Sequence, residues 1–194
     1  MSRLQLVRPG PQHLAQYAAA LQRGWSADTV RGAAAAQEEL ERIAADPPAF
    51  LAPLEDPAGL GPPITLPDGG QRPRLPSLRR WMWDEDDAVE SFIGSIGLRW
   101  TADGAPLPPY VLGHVGYAVV PWKRRRGFAT RALALMLPLA RAQGLGRLVV
   151  TTDPDNLASQ RVITANGGVF VEAFDKGEAY GHAPGHRFLI DLQP

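Results

Sequence analysis

Residues 119–134 read VVPWKRRRGFATRALA. The apolar pair Val119–Val120 is stopped by Pro121, and four basic residues, Lys123, Arg124, Arg125 and Arg126, then lead to a lone Gly127. Beyond the glycine, Ala129, Leu133, Leu137 and Ala140 fall on one face of a helix, which Gly144 and Gly146 end. A strand, a glycine turn and a helix in this order can cradle phosphate. The N–H groups of the first helical turn have no internal partner, the helix dipole favours an anion there, and a glycine lets the backbone approach it. A phosphate-binding P-loop needs GxxxxGK[ST] and a dinucleotide fold needs GxGxxG, and neither is present. What stands here is Arg124-x-x-Gly127-x-Ala129, followed farther on by Asn156-x-x-Ser159 at the start of a second helix. Taken alone, the basic run could be a solvated face, which is what such runs most often are, a nucleic-acid patch or the lip of a phosphate site.

Composition separates these readings. Of 194 residues, 45% are apolar and 21% charged, which is ordinary for a folded globular chain. Twenty basic residues balance twenty acidic ones, so no global positive field exists to draw in nucleic acid, and aromatic interleaving is missing from the run. With no cysteine, disulfides, thiolate nucleophiles and cysteine-ligated zinc are all excluded; no metal site is expected. Neither a signal-like leader nor an apolar run of membrane-spanning length occurs, so the expectation is a cytoplasmic protein without a membrane partner. Lysine occurs only at 123 and 176, which reads as a base-composition bias.

The rest of the chain organises around that stretch. RLQLVRP at 3–9 alternates as a short strand, and 12–45 carries helical spacing broken near Gly24, so two helices are expected. Residues 53–77 are rich in proline and glycine and read as a long loop near a site. LRRWMW and SFIGSIGLRW form a hairpin turned by the acidic run at 84–87, and after the DGAPLPP turn at 103–109 a third strand covers VLGHVGYAVV. Pro138 inside the long helix predicts a bend. RLVVTTD is a buried strand, NLASQRVITAN a helix with Asn156 as N-cap, and GVFVEAF and HRFLIDL are closing strands. The reading is an α/β (α+β) chain, residues 1–194 as one domain, with a mixed, mostly antiparallel sheet of six or seven strands flanked by helices.

From about Ser91 to Phe174 the chain resembles the GCN5-related N-acetyltransferases (GNAT), with RRRGFA standing where that family has (Arg or Gln)-x-x-Gly-x-(Gly or Ala). GYAVVPWKRRRGFA and TTDPDNLASQRVITANGG are similar to its two cofactor motifs, in order and at matching spacing. Among its members the chain is most similar to bacterial predicted acetyltransferases of unassigned substrate. The resemblance implies acetyl-CoA as acyl donor and an amine of a small molecule or peptide as acceptor, and leaves room for a homodimer. It implies that Val119 and Val120 present backbone groups to the pantetheine arm, that Arg124, Arg125, Arg126, Gly127, Phe128, Ala129 and Thr130 hold the pyrophosphate, and that Asn156, with Ser159 beside it, contacts the cofactor. The core of that site is 91–174, and 12–77 forms the acceptor side.

Acetyl transfer needs an amine freed of its proton and a way to protonate the leaving sulfur. Where many relatives carry a tyrosine acid in the second motif's helix, this chain has Ile163. Tyr180 and His182, in DKGEAYGHAPGH, are candidates to reach the site from a loop, against a reading as turn decoration. His114 stands where many relatives place a glutamate and is the candidate base, against a hydrogen-bonded strand histidine. Trp81 and Trp83 read as half-buried sheet residues. Without an assigned acid, a non-catalytic acyl-CoA-binding module is the alternative function.

Overall fold

The computed structural model describes residues 3–101 and 104–193; Asp103, the first residue of the turn expected at 103–109, lies outside the described residues, as do residues 1, 2, 102 and 194. The first strand is β1 (Leu4–Val7), followed by α1 (Pro11–Gln22) and α2 (Ala33–Ala45). A short helix, α3 (Pro47–Leu51), follows directly and was not expected. It opens on two prolines, which are pre-organised for the first helical turn, and the Asp46 carboxylate caps it by accepting the Ala49 N–H at 2.9 Å. The Pro/Gly loop opens on the end of a 3-10 turn (Ala52–Leu54) and contains the two-residue strands β2 (Glu55–Asp56), β3 (Ile64–Thr65) and β4 (Gln71–Arg72).

The expected hairpin is present as β5 (Ser77–Asp84) and β6 (Phe92–Arg99), and β7 (Val115–Val119) lies beside it. Next come α4 (Phe128–Ala142), β8 (Arg147–Thr152), α5 (Leu157–Thr164), β9 (Val169–Asp175) and β10 (Pro184–Asp191). Pro138 does not interrupt α4. The carbonyl it leaves without a donor, that of Ala134, lies on the exposed face of the helix, where water can meet it. No helix among the described residues is long and apolar enough to cross a membrane.

The mostly antiparallel sheet is divided in two. One sheet runs β1-β5-β6-β7 with β2 beside β5, and the other runs β8-β10-β9. Strand alternation sends Met82, Ile96 and Leu98 toward α4, where they pack with Phe128, Leu133 and Met136. The opposite face carries Trp81, which stacks on Tyr17 of α1 with ring centroids 4.4 Å apart. Tyr17, Trp25, Phe50, Trp81 and Phe92 form a second apolar cluster under α1–α3. Trp81 is fully buried, and truncating an aromatic side chain in such a place costs ~3–5 kcal/mol. One face of the first sheet thus anchors the glycine-turn helix, and the other carries the N-terminal helices.

Candidate active site

The two sheets touch where β7 begins. His114 N–H donates to the Val149 carbonyl at 2.8 Å, and Val149 N–H donates to His114 Nδ1 at 2.9 Å. Gly113 makes this approach feasible, because a Cβ there would sit 3.0 Å from the Val149 carbonyl oxygen. The strand expected from Val111 therefore starts only at Val115: its first residues are spent joining β8. Past this joint no hydrogen bond connects β7 to β8 among the described residues, and the sheets splay.

The backbone direction along β7 follows from one bond. Val120 N–H donates to Ile93 of β6 at 2.9 Å, so alternation turns the N–H and C=O of Ala118 and Gly116 toward β6 and those of Val115, Tyr117 and Val119 toward the splay. Val120 is also fully buried, and its carbonyl accepts the Lys123 N–H at 3.0 Å. Both of its backbone groups are taken, and the free edge ends at Val119, whose carbonyl accepts Arg124 Nε at 3.1 Å.

The basic run is not one unit. Lys123 is buried, with its ammonium held by Asp87, Oδ2 at 3.2 Å, and by the Glu90 carbonyl. It ties the β5–β6 turn to the start of the loop. Arg124, Arg125 and Arg126 are exposed. Arg125 and Gly127 both sit in the left-handed region, at φ 60° and 74°, and Gly127 forms the N-cap of α4. A non-glycine residue pays ~1–2 kcal/mol for that conformation, and Arg125 adopts it nonetheless. The turn leaves the backbone N–H groups of Arg125, Arg126, Gly127, Phe128, Ala129 and Thr130 with no acceptor among the described residues. A Cβ built on Gly127 would meet nothing within 4 Å, so the space in front of these amides is open. The Phe128 ring turns inward to the core, with the Arg126 and Arg131 guanidinium carbons about 5 Å from its centre, at 5.0 and 4.9 Å. Six free amides at a helix N-terminus, rimmed by arginine, suit a pyrophosphate.

Across the splay, Asn156 caps α5 by accepting the Ser159 N–H at 3.0 Å. Its amide nitrogen has no partner among the described residues. Ser159 Oγ lies 2.8 Å from the Tyr117 hydroxyl, so residues from β7 and α5 meet through their side chains where their backbones have parted. Burial pushes the Tyr117 pKa up to about 12, with the Ser159 hydrogen bond acting the other way. Tyr117 was not singled out from the sequence. The signal was available in its strand position, three residues after the joint histidine, but its partner lies 42 residues away. Ile163 is fully buried in the core, so that helix offers no acid at this position.

The remaining candidates lie elsewhere. His114 Nδ1 already accepts a hydrogen bond, so the neutral ring carries its proton on Nε2; burial foremost, with Arg99 acting in the same direction, holds its pKa below the usual value. Tyr180 donates its hydroxyl proton to the Tyr110 carbonyl at 3.0 Å, and Tyr110 in turn reaches the Pro73 carbonyl at 3.3 Å. Tyr180 thereby ties three loops together. His182 is exposed, 3.0 Å from Asp175. A recess of about 360 Å³ between Gly59, Gly61, Arg72 and Arg74 belongs to the Pro/Gly loop, and none of its lining comes from the splay.

Comparison with known proteins agrees with this geometry. A sequence model of the family described as "Acetyltransferase (GNAT) domain" matches residues 3–169. No curated protein matches the chain by sequence. Among solved structures it is similar to a GNAT-family acetyltransferase from Bacillus anthracis, at 13% identity and a TM-score of 0.62, over 100% of this chain and 98% of that one. It is also similar to RimL, a ribosomal L7/L12 α-N-protein acetyltransferase solved with coenzyme A, at 13% identity and 0.59, over 98% and 95%. The self-immunity acetyltransferase MccE, solved with acetyl-CoA and AMP, is similar at 10% identity and 0.58, over 98% and 93%. A parted pair of sheets, a glycine turn offering six free amides and a family match over most of the chain lead to one conclusion: this chain belongs to the GNAT acetyltransferases, acyltransferases that use acetyl-CoA.

Proposed function

We propose that the chain transfers an acetyl group from acetyl-CoA to a primary amine of a small molecule or a peptide, in the cytoplasm. The observation that carries this reading is the run of six unpartnered amides from Arg125 to Thr130 at the mouth of the splay. When bound, acetyl-CoA supplies the activated thioester. The amides of 125–130 and the guanidinium groups of Arg124, Arg125 and Arg126 hold its pyrophosphate by charge-assisted hydrogen bonds. The free backbone groups of Tyr117 and the N–H of Val119, whose carbonyl is already taken by Arg124, align the pantetheine arm, and Val120 is left out of this contact. The Asn156 amide nitrogen offers a further donor from α5.

The Tyr117–Ser159 hydroxyl pair takes the place of the acid that Ile163 cannot supply. With a pKa near 12, Tyr117 keeps its proton at every working pH, so the pair always has a hydrogen to offer a leaving sulfur. His114 positions rather than accepts: its Nδ1 lone pair holds the joint between the sheets, and the amine loses its proton to solvent. Two fold neighbours, RimL and a spermidine N-acetyltransferase chimera from Vibrio cholerae, are by name N-acetyltransferases, which supports an amine acceptor.

Thiol release from acetyl-CoA, followed against a broad amine panel, tests the proposal. Amine-dependent release with matching acetylated product is expected. Tight acetyl-CoA binding by calorimetry with no amine-dependent release would instead make the chain an acyl-CoA-binding module.

A further inference from the structure

The face of the first sheet that carries Trp81 also carries Arg79, Gly97, Arg99 and Gly116. Gly97 and Gly116 are a cross-strand pair, and Arg79 lies opposite Gly97. With no side chains at either glycine, the sheet floor is bare: a Cβ on Gly97 would meet only the Leu78 carbonyl, at 3.7 Å. The Arg99 guanidinium lies over this floor, its Nη2 3.1 Å from where a Gly116 Cβ would be. It is half-buried, and among the described residues no carboxylate pairs with it and no acceptor takes its hydrogens. Its charged neighbours do not neutralise it. Arg79 repels it, and Tyr180, which acts on it in the opposite sense, keeps its own proton because burial raises its pKa. The other carboxylates on this side are occupied: Glu39 accepts from the Tyr17 hydroxyl, and Asp56 accepts from the Leu60 and Gly61 amides. Asp68, which acts on Tyr180, accepts from the Gly70 amide.

Three of the four other half-buried arginines have found a carboxylate or a carbonyl: Arg80 meets Glu55, Arg187 meets Glu172 and Arg74 meets the Pro62 carbonyl, while Arg79, on the same floor as Arg99, has neither among the described residues and acts on the Tyr17 hydroxyl. Leaving a desolvated charge without a partner is costly, and a guanidinium fork matches a carboxylate or a phosphate in two parallel hydrogen bonds. Position adds to chemistry. Arg99 N–H bonds the His114 carbonyl at 2.9 Å, which places Arg99 at the joint end of β7, the end away from the Gly127 turn. The pyrophosphate is held at one end of the strand, and Arg99 waits at the other.

We infer that Arg99, with Arg79 behind it, binds an anionic group on the acceptor, so that the amine acetylated by this enzyme belongs to a molecule bearing a carboxylate or a phosphate. This rests on the acetyltransferase reading above. The fork fixes the anion over the Gly97–Gly116 floor and leaves the amine to reach toward the splay.

Matched acceptors test it: free amino acids against their amides, and O-phosphoethanolamine against ethanolamine, by kcat/KM in the thiol-release assay. The anionic member of at least one matched series should be favoured about 10–100-fold, the range of hydrogen bonds to a charged group, and which series responds tells carboxylate from phosphate. Arg99→Gln should erase that preference through KM while the acetyl-CoA dissociation constant stays unchanged. Gly116→Asp is the second variant: it sets a carboxylate beside the guanidinium from within and should erase the preference in a folded protein. Neutral or cationic amines used as well as anionic ones, or a preference that survives both substitutions, would overturn the inference. So would acetyl-CoA binding without turnover on any of these amines, which leaves the cofactor site standing. Failure of the wild-type protein to bind acetyl-CoA overturns the acetyltransferase reading itself.

Discussion

The two sites proposed at the ends of β7 would recognise their ligands by different means. At the Gly127 end the groups are backbone amides, fixed by two left-handed residues and the first turn of α4. At the His114 end they are side chains, Arg99, Arg79 and Tyr180, brought together from two strands and a loop far apart in sequence. Backbone recognition is insensitive to most substitutions and suits a cosubstrate that never changes. Side-chain recognition can be retuned one residue at a time and suits an acceptor that differs between relatives.

The contrast breaks most sharply at Gly127. A β-branched residue resists φ 74°, and valine would also fill the open space in front of the amides. Gly127→Val should raise the acetyl-CoA dissociation constant by about 100-fold or more, at the level of several charge-assisted hydrogen bonds lost together. Calorimetry measures it, with circular dichroism as the check on folding. Undiminished affinity in a folded variant would mean that the amides at 125–130 do not hold the cofactor.

A smaller effect is expected at the hydroxyl pair. Ser159→Ala and Tyr117→Phe should each lower kcat by about 10–100-fold, within the range of a positioned proton donor, and leave the acetyl-CoA dissociation constant within two- to three-fold of the parent. The double variant should lose little more than the worse single one, because the two hydroxyls act as one unit. Additive losses, or unchanged kcat in either single variant, would place the acid elsewhere.

These two sites were legible in the sequence to very different degrees. Gly127 and the flanking pattern could be read because a left-handed turn between a strand and a helix demands a glycine at one position, and that demand is local. The acidic run at 84–87 was read as a turn, and so it is, yet nothing local shows that Asp87 would hold Lys123, 36 residues on. The four basic residues therefore looked alike. Likewise, Val111–Val120 has a strand's composition throughout, but its first residues are drawn to β8 by a contact between His114 and Val149, 35 residues apart. Arg99 lies near the end of the strand expected over SFIGSIGLRW and carries no local mark of its own. Its isolation becomes visible only when the strands that surround it are in place.

Lys123 sharpens the division within the basic run. Its buried ammonium joins Asp87 and the Glu90 carbonyl, and Lys123→Met removes that joint while keeping the apolar stem. A loss of about 1–3 kcal/mol in unfolding free energy is expected by chemical denaturation, with the acetyl-CoA affinity of the folded protein nearly unchanged. Arg124→Gln should behave in the opposite way, with stability kept and affinity lowered by a few-fold. If Lys123→Met weakens acetyl-CoA as much as Arg124→Gln does, the run acts as one electrostatic patch and the division fails.

The smallest expected effect lies at the joint itself. Burial and the Arg99 charge lower the His114 pKa in the folded protein below the ordinary histidine value of about 6.5. Between the folded pKa and 6.5 the unfolded chain therefore binds more protons, so stability rises with pH across that window. The contribution is complete above about pH 6.5 and is lost as pH falls toward the folded pKa. His13, whose pKa is lowered by burial as well, adds a slope of the same sign. Protonating His114 also costs the joint its acceptor, since Nδ1 could then no longer take the Val149 N–H. His114→Gln keeps an acceptor and cannot titrate. Its melting temperature should depend less steeply on pH between about 5 and 6.5 than that of the parent, with the His13 slope remaining, while kcat/KM stays within a few-fold at neutral pH. Parallel melting curves would show that the ring is not the acceptor that holds the two sheets together. A loss of ~10²–10⁴-fold in kcat/KM with an unchanged melting profile would return His114 to the role of general base, because a positioned base contributes on that scale and a joint does not.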